Sequence, residues 1–289
     1  MVSERPPLFD FSASLRAHAR AQVLAGDRFL DHGAAEGLAD RLIAVTRKFA
    51  HGLWIGAPAR EGQPLNESVP PEIAPFAQSW TCAGFGGHEM LDVGAGQFDI
   101  AVSLFSLQTI NDLPGALVQI RRALKPDGLF MAALLGGGTL SELRDAFAHA
   151  ESTTRGGISP RVAPFADVRD LGGLLQRGGF ALPVSDVERL TVRYGDFFAL
   201  ARDLRAHGLT NVMTQRSKRP LRRDTLAALL AHYAAHHADP DGKLRARFEI
   251  LYLTGWSPHD SQQQPLKPGS AKSRLAEALG TTESILPKR

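Results

Sequence analysis

The sequence predicts an α/β fold with a mostly parallel sheet, and three observations carry that prediction. Asp99 to Phe105 (DIAVSLF) and Leu129 to Leu135 (LFMAALL) are short apolar runs without polar alternation, the mark of strands covered on both faces. Between them Ala116, Leu117, Ile120, Ala123 and Leu124 fall on one helical face, with Arg121, Arg122 and Lys125 near the C-terminal end, where cations suit the helix dipole. Strand, helix and strand joined by short turns make a parallel crossover.

The other elements follow in chain order. Residues 1–50 read as a helical segment ahead of an α/β domain spanning 51–289. In FDFSASLRAHARAQVLAG, Leu15, Ala19, Val23 and Leu24 give a weak apolar face. Glu36 to Phe49 is a clearer amphipathic helix, with Leu38, Leu42, Ile43, Val45 and Phe49 inward. Leu53 to Gly56 is the first core strand and its exit. Residues 57–97 carry prolines and glycines that argue against long regular elements. Asp112 is placed to cap the central helix and Pro114 fits its first turn; Lys125-Pro126-Asp127-Gly128 stops it. Thr139, with Glu142 three residues on, predicts a capping box. Helices are expected over Ala166 to Gly178, Phe197 to His207 and Asp224 to His237. Strands are expected over Phe180 to Val187, Leu190 to Tyr194 and, late in the chain, Leu244 to Trp256, where Phe248, Ile250 and Tyr252 alternate with Arg247, Glu249 and Leu251 on the other face.

The chain has 289 residues, 44% hydrophobic and 22% charged, an ordinary globular composition with no apolar run long enough to span a bilayer. The N-terminus lacks the apolar region of a secretory signal, and the single cysteine, Cys82, fits a reducing compartment, so a cytoplasmic location is expected. Net charge is +3. The basic run Arg216 to Arg223 has no interleaved aromatics, so it reads as a solvated loop rather than a nucleic-acid surface.

Several stretches together resemble a known family. Phe98 to Ser103, Asn111 to Pro114 and Leu124 to Gly128 look like the fourth strand, following helix and fifth-strand turn of class I S-adenosylmethionine (SAM) methyltransferases, with their Rossmann-like sheet. FDF near residue 9, ADRL at 39–42, GGGTLSELR at 136–144, GGISPRVAPFADVRDLGGLLQRGGF at 156–180 and YLTGWSPHDSQQQP at 252–265 are more narrowly similar to the complex I assembly factor 5 family, relatives of the malonyl-carrier-protein methyltransferase of biotin synthesis. The resemblance covers nearly the whole chain except roughly 57–97. It implies a seven-stranded, mostly parallel sheet with a late antiparallel strand and room for trimmed elements before strand 4. It also implies SAM as cofactor, held near Gly56 and Ala57 after the first strand and Ser103, Leu104, Phe105 and Leu107 after the fourth. A protein substrate or respiratory-complex subunit, with arginine hydroxylation as one activity, is the implied partner.

The cofactor loop departs from the family pattern. Of its glycines only Gly56 remains; Trp54 stands where an acidic residue is expected, and Pro58 and Arg60 stand at glycine positions. Pro58 has no N–H, and Arg60 is bulky where close approach is needed. A literal copy of the motif, Leu91-Asp92-Val93-Gly94-Ala95-Gly96, comes too late: the stretch from Gln97 to Ala123 has no room for three more strands and helices, since one crossover takes about 10–12 residues or more. Those glycines therefore read as a surface turn. The ribose-binding carboxylate has only Glu67, Glu72 and Glu89 as candidates, and Leu107-Gln108-Thr109 replaces the family's leucine-histidine-tryptophan. Weak or lost SAM binding is expected, which leaves two readings, an enzyme with an altered pocket or a non-catalytic binding protein of the same fold.

Other constellations are weaker. His232 and His236 have metal-ligand spacing on a helix, but no matching Glu or Cys is evident, so an exposed face is the expectation and no metal is assigned. His259 and Asp260 either line a site or close a turn. Arg144, Arg161 and Arg169 bind an acidic group or form structural ion pairs, the latter favoured.

Overall fold

The computed structural model describes residues 6–24, 26–58, 68–263 and 280. Met1–Pro258 form one unit and His259–Arg289 a second. In the first unit the chain runs α1 (Phe11–Val23), α2 (Phe29–Ile43), β1 (Phe49–Ile55), β2 (Ala77–Ala83), β3 (Phe98–Leu104), α3 (Leu113–Ala123), β4 (Leu124–Leu135), α4 (Ser141–Arg155), α5 (Val168–Arg177), β5 (Ala181–Tyr194), α6 (Phe197–Ala206), α7 (Arg223–His237) and β6 (Leu244–Trp256).

The strand order is β2-β1-β3-β4-β6-β5. The first four are parallel; β6 runs antiparallel to both β4 and β5. Among the described residues the sheet has six strands where seven were expected. The shortfall lies on the β1 side of β3, because among its described residues the proline-rich span 57–97 supplies β2 alone, itself preceded by a 3₁₀ turn, Ala74–Phe76. The sheet is covered on both faces. Leu53, Ile55, Ala101, Phe130 and Leu253 pack with α3 and α5. Trp54, Ile100, Val102, Met131 and Phe248 pack with α2, α4, α6 and α7. Apolar residues at successive positions thus serve opposite layers, which is why these strands read as unbroken apolar runs.

The central crossover is as expected. The Asp112 carboxylate accepts from the Gly115 N–H at 2.9 Å, with Pro114 in the first turn. Its helix passes straight into β4, so the Lys125–Gly128 turn sits inside that strand as an irregularity in its pairing with β3, with Asp127 in the left-handed region (φ 60°). The glycine-rich copy at 91–96 is a loop before β3, with Gly96 at φ 65°.

Five local expectations are corrected. α2 begins earlier and ends at Ile43, and Phe49 opens β1, because Leu30, Ala34, Leu38 and Leu42 form the buried stripe while Ile43 points to solvent. In α1 the buried side is Ala13, Ser14, Ala17 and Ala21, not Val23: small residues let the helix pack closely. Thr139 does not cap α4; Leu140 does so in a left-handed conformation. The Thr139 hydroxyl is instead donated to the Glu249 carbonyl (3.2 Å) and accepts from the Glu249 N–H (3.0 Å), backbone groups lying just beyond the end of the β4–β6 ladder. Residues Ala181–Tyr194 form one long strand, since pairing with β6 continues through Glu188 and Arg189. In β6, Leu251 is buried as well as Tyr252, because this strand too is covered on both faces. No helix among the described residues is long and apolar enough to cross a membrane.

Candidate functional site

The parallel strands β1 and β3 end side by side, and a cavity of about 420 Å³ opens at their C-terminal ends. Trp54 and Ala57 form its β1 wall, and Leu104, Phe105 and Ser106 its β3 wall. Open parallel sheets favour this position for ligands. Phe105 leaves β3 with φ 49°, held there by its N–H to the Ala133 carbonyl at 2.9 Å. A left-handed non-glycine residue costs about 1–2 kcal/mol and persists only where its surroundings enforce it. The turn places Ser106 so that its hydroxyl donates to the Ile55 carbonyl (2.9 Å) and meets the Ser103 hydroxyl (2.6 Å). The exits of β1 and β3 are thereby tied together.

The remaining walls come from distant parts of the chain. Asp31 and His32 near the start of α2, Glu72 before β2 and His207 just after α6 all border the cavity. The Nδ1 of His207 lies 2.7 Å from an Asp31 carboxylate oxygen, and Arg28 reaches the same carboxylate at 3.2 Å. Burial raises the Asp31 pKa, but the hydrogen bond from His207 and the Arg28 charge outweigh it and hold the carboxyl below its ordinary value. Glu72 meets His32 through one oxygen at 3.1 Å.

Among the described residues three buried side-chain polar atoms have no hydrogen-bond partner: Trp54 Nε1, Glu72 Oε2 and His207 Nε2. All three residues line this one cavity. A buried unpaired group costs roughly 1–3 kcal/mol, so a ligand offering an acceptor to Trp54 and a donor to Glu72 recovers that cost on binding. Next to it lies a more apolar cavity of about 330 Å³, bordered by Leu135, Leu140, Leu143, Phe147 and Arg161. His18, Phe105 and His207 border both chambers.

Of the residues expected to hold a cofactor, Ala57, Leu104 and Phe105 border the larger cavity. Gly56 borders a small neighbouring pocket, and its N–H bonds to the Ala83 carbonyl at 3.0 Å. Ser103 and Leu107 are buried in the packing behind. Of the candidate ribose carboxylates, Glu72 is at the site. Glu89 instead accepts from the Asn111 and Asp112 N–H groups at the start of α3, and Glu67 and Arg60 lie outside the described residues. Sequence reasoning missed Asp31, His32 and His207. Asp31 and His207 stand 176 positions apart, and no motif links them.

The other expected groups fall elsewhere. Arg161 pairs with the buried Glu151, and Arg144 reaches the carbonyls of Thr139 and Ala163. His259 bonds to the Ser261 hydroxyl at 2.7 Å, closing a turn. Arg216 pairs with Asp10 and Arg222 with Asp224, so the basic run is partly neutralised within the chain.

The arrangement has recognisable relatives. A family model described as a methyltransferase domain matches residues 8–183, more than half of the chain. The chain belongs to this methyltransferase family. "Arginine-hydroxylase NDUFAF5, mitochondrial" of Homo sapiens is 35% identical, covering 90% of this chain and 78% of that protein. With its Danio rerio counterpart the identity is 43%, over 65% of this chain and only 59% of that protein. "Malonyl-[acyl-carrier protein] O-methyltransferase" of Laribacter hongkongensis is 36% identical, covering 63% of this chain and 58% of that one. Among solved structures, the YcgJ protein of Bacillus subtilis superposes with a TM-score of 0.50 at 11% identity, covering 79% of this chain and all of that one, a likeness of fold alone.

The methyltransferase family generally uses SAM, and the lining meets its needs unevenly. Glu72 brings to the lining a carboxylate, the kind of group that takes sugar hydroxyls, and Trp54 an indole N–H without a hydrogen-bond partner. Gly56 and Pro58, which the resemblance places against the methionine part, border the small neighbouring pocket instead; the Gly56 N–H is engaged and Pro58 has none.

Proposed function

We propose that this methyltransferase-family protein binds SAM, with lowered affinity, in the cavity at the ends of β1 and β3, and acts on a protein substrate in respiratory complex I assembly. The observation that carries the cofactor half is that Trp54, Glu72 and His207, each with a buried side-chain atom lacking a hydrogen-bond partner, all line one cavity. Glu72 would hold the ribose hydroxyls and Trp54 would donate to a neighbouring acceptor, while SAM, when bound, would supply an electrophilic methyl group. The adjoining apolar chamber offers a place for the substrate side chain, with Phe105 and His207 at the boundary between the two. The printed name of the vertebrate relatives, an arginine hydroxylase, supports an arginine as the group acted on. The protein substrate and the link to complex I assembly rest on the resemblance of the motifs at 136–144, 156–180 and 252–265 to the assembly-factor family.

Titration of the full chain with SAM and with its demethylated product tests this reading. Saturable binding with a Kd below about 1 mM is expected for at least one of them. Glu72→Gln should weaken it roughly 5–10-fold, the loss of about 1 kcal/mol or slightly more from a hydrogen bond to a charged group. No saturable binding at about 1 mM overturns the proposal. It would favour the second reading, a non-catalytic assembly protein of the same fold, for which the engaged Gly56 amide already speaks.

A further inference from the structure

The histidines of α7, left without a partner by their sequence spacing, meet a carboxylate from another helix. Asp145 of α4 accepts hydrogen bonds from His232 Nε2 and His237 Nε2, both at 2.8 Å. One ligand atom from each of the three residues lies within 4.8 Å of the other two. The expected pair is thus replaced: His236 turns its Nδ1 to the His232 carbonyl (3.1 Å) and His237 takes its place.

Two features separate this group from an incidental surface cluster. Four of the ten histidines in the chain gather here. The His232 ring is stacked on both sides, against His149 at 4.1 Å and His236 at 4.2 Å between centroids. Such stacking fixes the plane of the ring, and therefore the direction of its Nε2, before any ion arrives. His237 rests edge-on against Tyr233 at 5.5 Å. His232 and His237 are mostly covered, while Asp145 is 55% exposed, leaving an approach from solvent.

We propose that Asp145, His232 and His237 form a binding site for a divalent transition-metal ion, with Zn²⁺ as the expected occupant, that clamps the C-terminal end of α7 to α4. Zn²⁺ takes histidine nitrogen and carboxylate oxygen at about 2.0–2.2 Å, with tetrahedral neighbours roughly 3.3 Å apart. Seating the ion opens the two 2.8 Å hydrogen bonds by about 0.5 Å and brings the two nitrogens, which lie within 4.8 Å of each other, to a similar spacing, with each imidazole protonated on Nδ1 instead of Nε2 and water in the fourth position. The site is separate from the candidate cofactor cavity. Leu143 and Phe147 of α4 border the apolar chamber, whereas Asp145 and His149 stand on the opposite side of that helix and border neither chamber.

The test uses the full chain, purified without a histidine tag and stripped with a chelator, titrated calorimetrically with Zn²⁺. One ion per chain with a micromolar or tighter Kd is expected. At a hundredfold excess over Kd the melting temperature should rise by about 5 °C or more. His232→Ala, His237→Ala and the conservative Asp145→Asn should each weaken binding at least tenfold, with His88→Ala as an unchanged control. Co²⁺ in place of Zn²⁺ should give visible d–d bands that the His232→Ala protein lacks. Absence of binding below about 100 μM, or binding that survives all three substitutions, overturns the proposal. Because Asp145→Asn keeps a side chain of the same shape on an exposed position, a folded variant is available for the comparison.

Discussion

Replacing Glu151 with alanine is expected to destabilise the protein by about 3–5 kcal/mol, a fall in melting temperature of order 10 °C. Glu151 sits in α4 with no solvent exposure and accepts from the Ser159 N–H (2.6 Å), the Ser159 hydroxyl (2.6 and 2.8 Å) and the Arg161 guanidinium (2.5 and 2.8 Å). The alanine variant leaves the Arg161 charge, only 15% exposed, without its partner, and frees the turn that carries Arg161 and Val162 along the apolar chamber. Breaking one side of a buried pair costs far more than the pair itself contributes. The pH dependence has a definite sign. Burial raises the Glu151 pKa, but the bonds from Ser159 and Arg161 outweigh it and hold the carboxyl below its ordinary value of 4.5. Its stabilisation is therefore complete above about pH 4.5 and disappears as pH falls through the lowered value in the folded protein. Thermal melts of wild type and Glu151→Gln should converge as pH drops below about 4. A gap that stays constant across that range would show that the carboxylate charge is not what holds the turn.

Two glycines of one helix should respond to alanine with opposite signs. Gly33→Ala is expected to raise stability by up to about 1 kcal/mol, because α2 has open space there and alanine is the better helix former. Gly37→Ala is expected to lower it by roughly 1–3 kcal/mol, although the propensity gain is the same. A Cβ at Gly37 would stand 2.6 Å from Tyr252 Cζ. Tyr252 is buried in β6 and cannot retreat: its hydroxyl meets Glu188 at 3.3 Å, and the Arg41 guanidinium lies 3.6 Å over its ring while bonding to Asp186 at 2.5 and 3.1 Å. Paired denaturant melts of the two variants check this. Stabilisation of both would mean that α2 can slide on the sheet, and destabilisation of both would mean that helix propensity does not govern position 33.

The right half of the sheet was legible in the sequence because its signals are local. The apolar runs at 99–105 and 129–135, the Asp112 cap and the basic end of α3 each act within a few residues, and all point to one crossover. The loop reading of 91–96 also held, because chain length alone excluded an earlier place in the sheet. Helix boundaries in the N-terminal segment were less legible. Alanine and glycine pack against a wall as readily as leucine does, so the buried stripe of α1 carries almost no hydropathy signal. Thr139 had a capping-box pattern but was taken by the backbone of Glu249, a partner 110 positions away.

The sequence by itself determined the α/β class, the central β3-α3-β4 unit and the methyltransferase family. Only the tertiary structure decided which side chains meet at the strand ends. It brings Asp31 to His207 and sets Trp54 and Glu72 beside them, and it carries Asp145 to His232 and His237 from 87 and 92 positions away. The physical reason is that secondary structure follows from short-range periodicity and capping, whereas a site depends on which strand ends and helix faces the sheet order places together. A buried atom without a hydrogen bond, such as Trp54 Nε1, is a property of that packing, and no residue pattern in the chain encodes it.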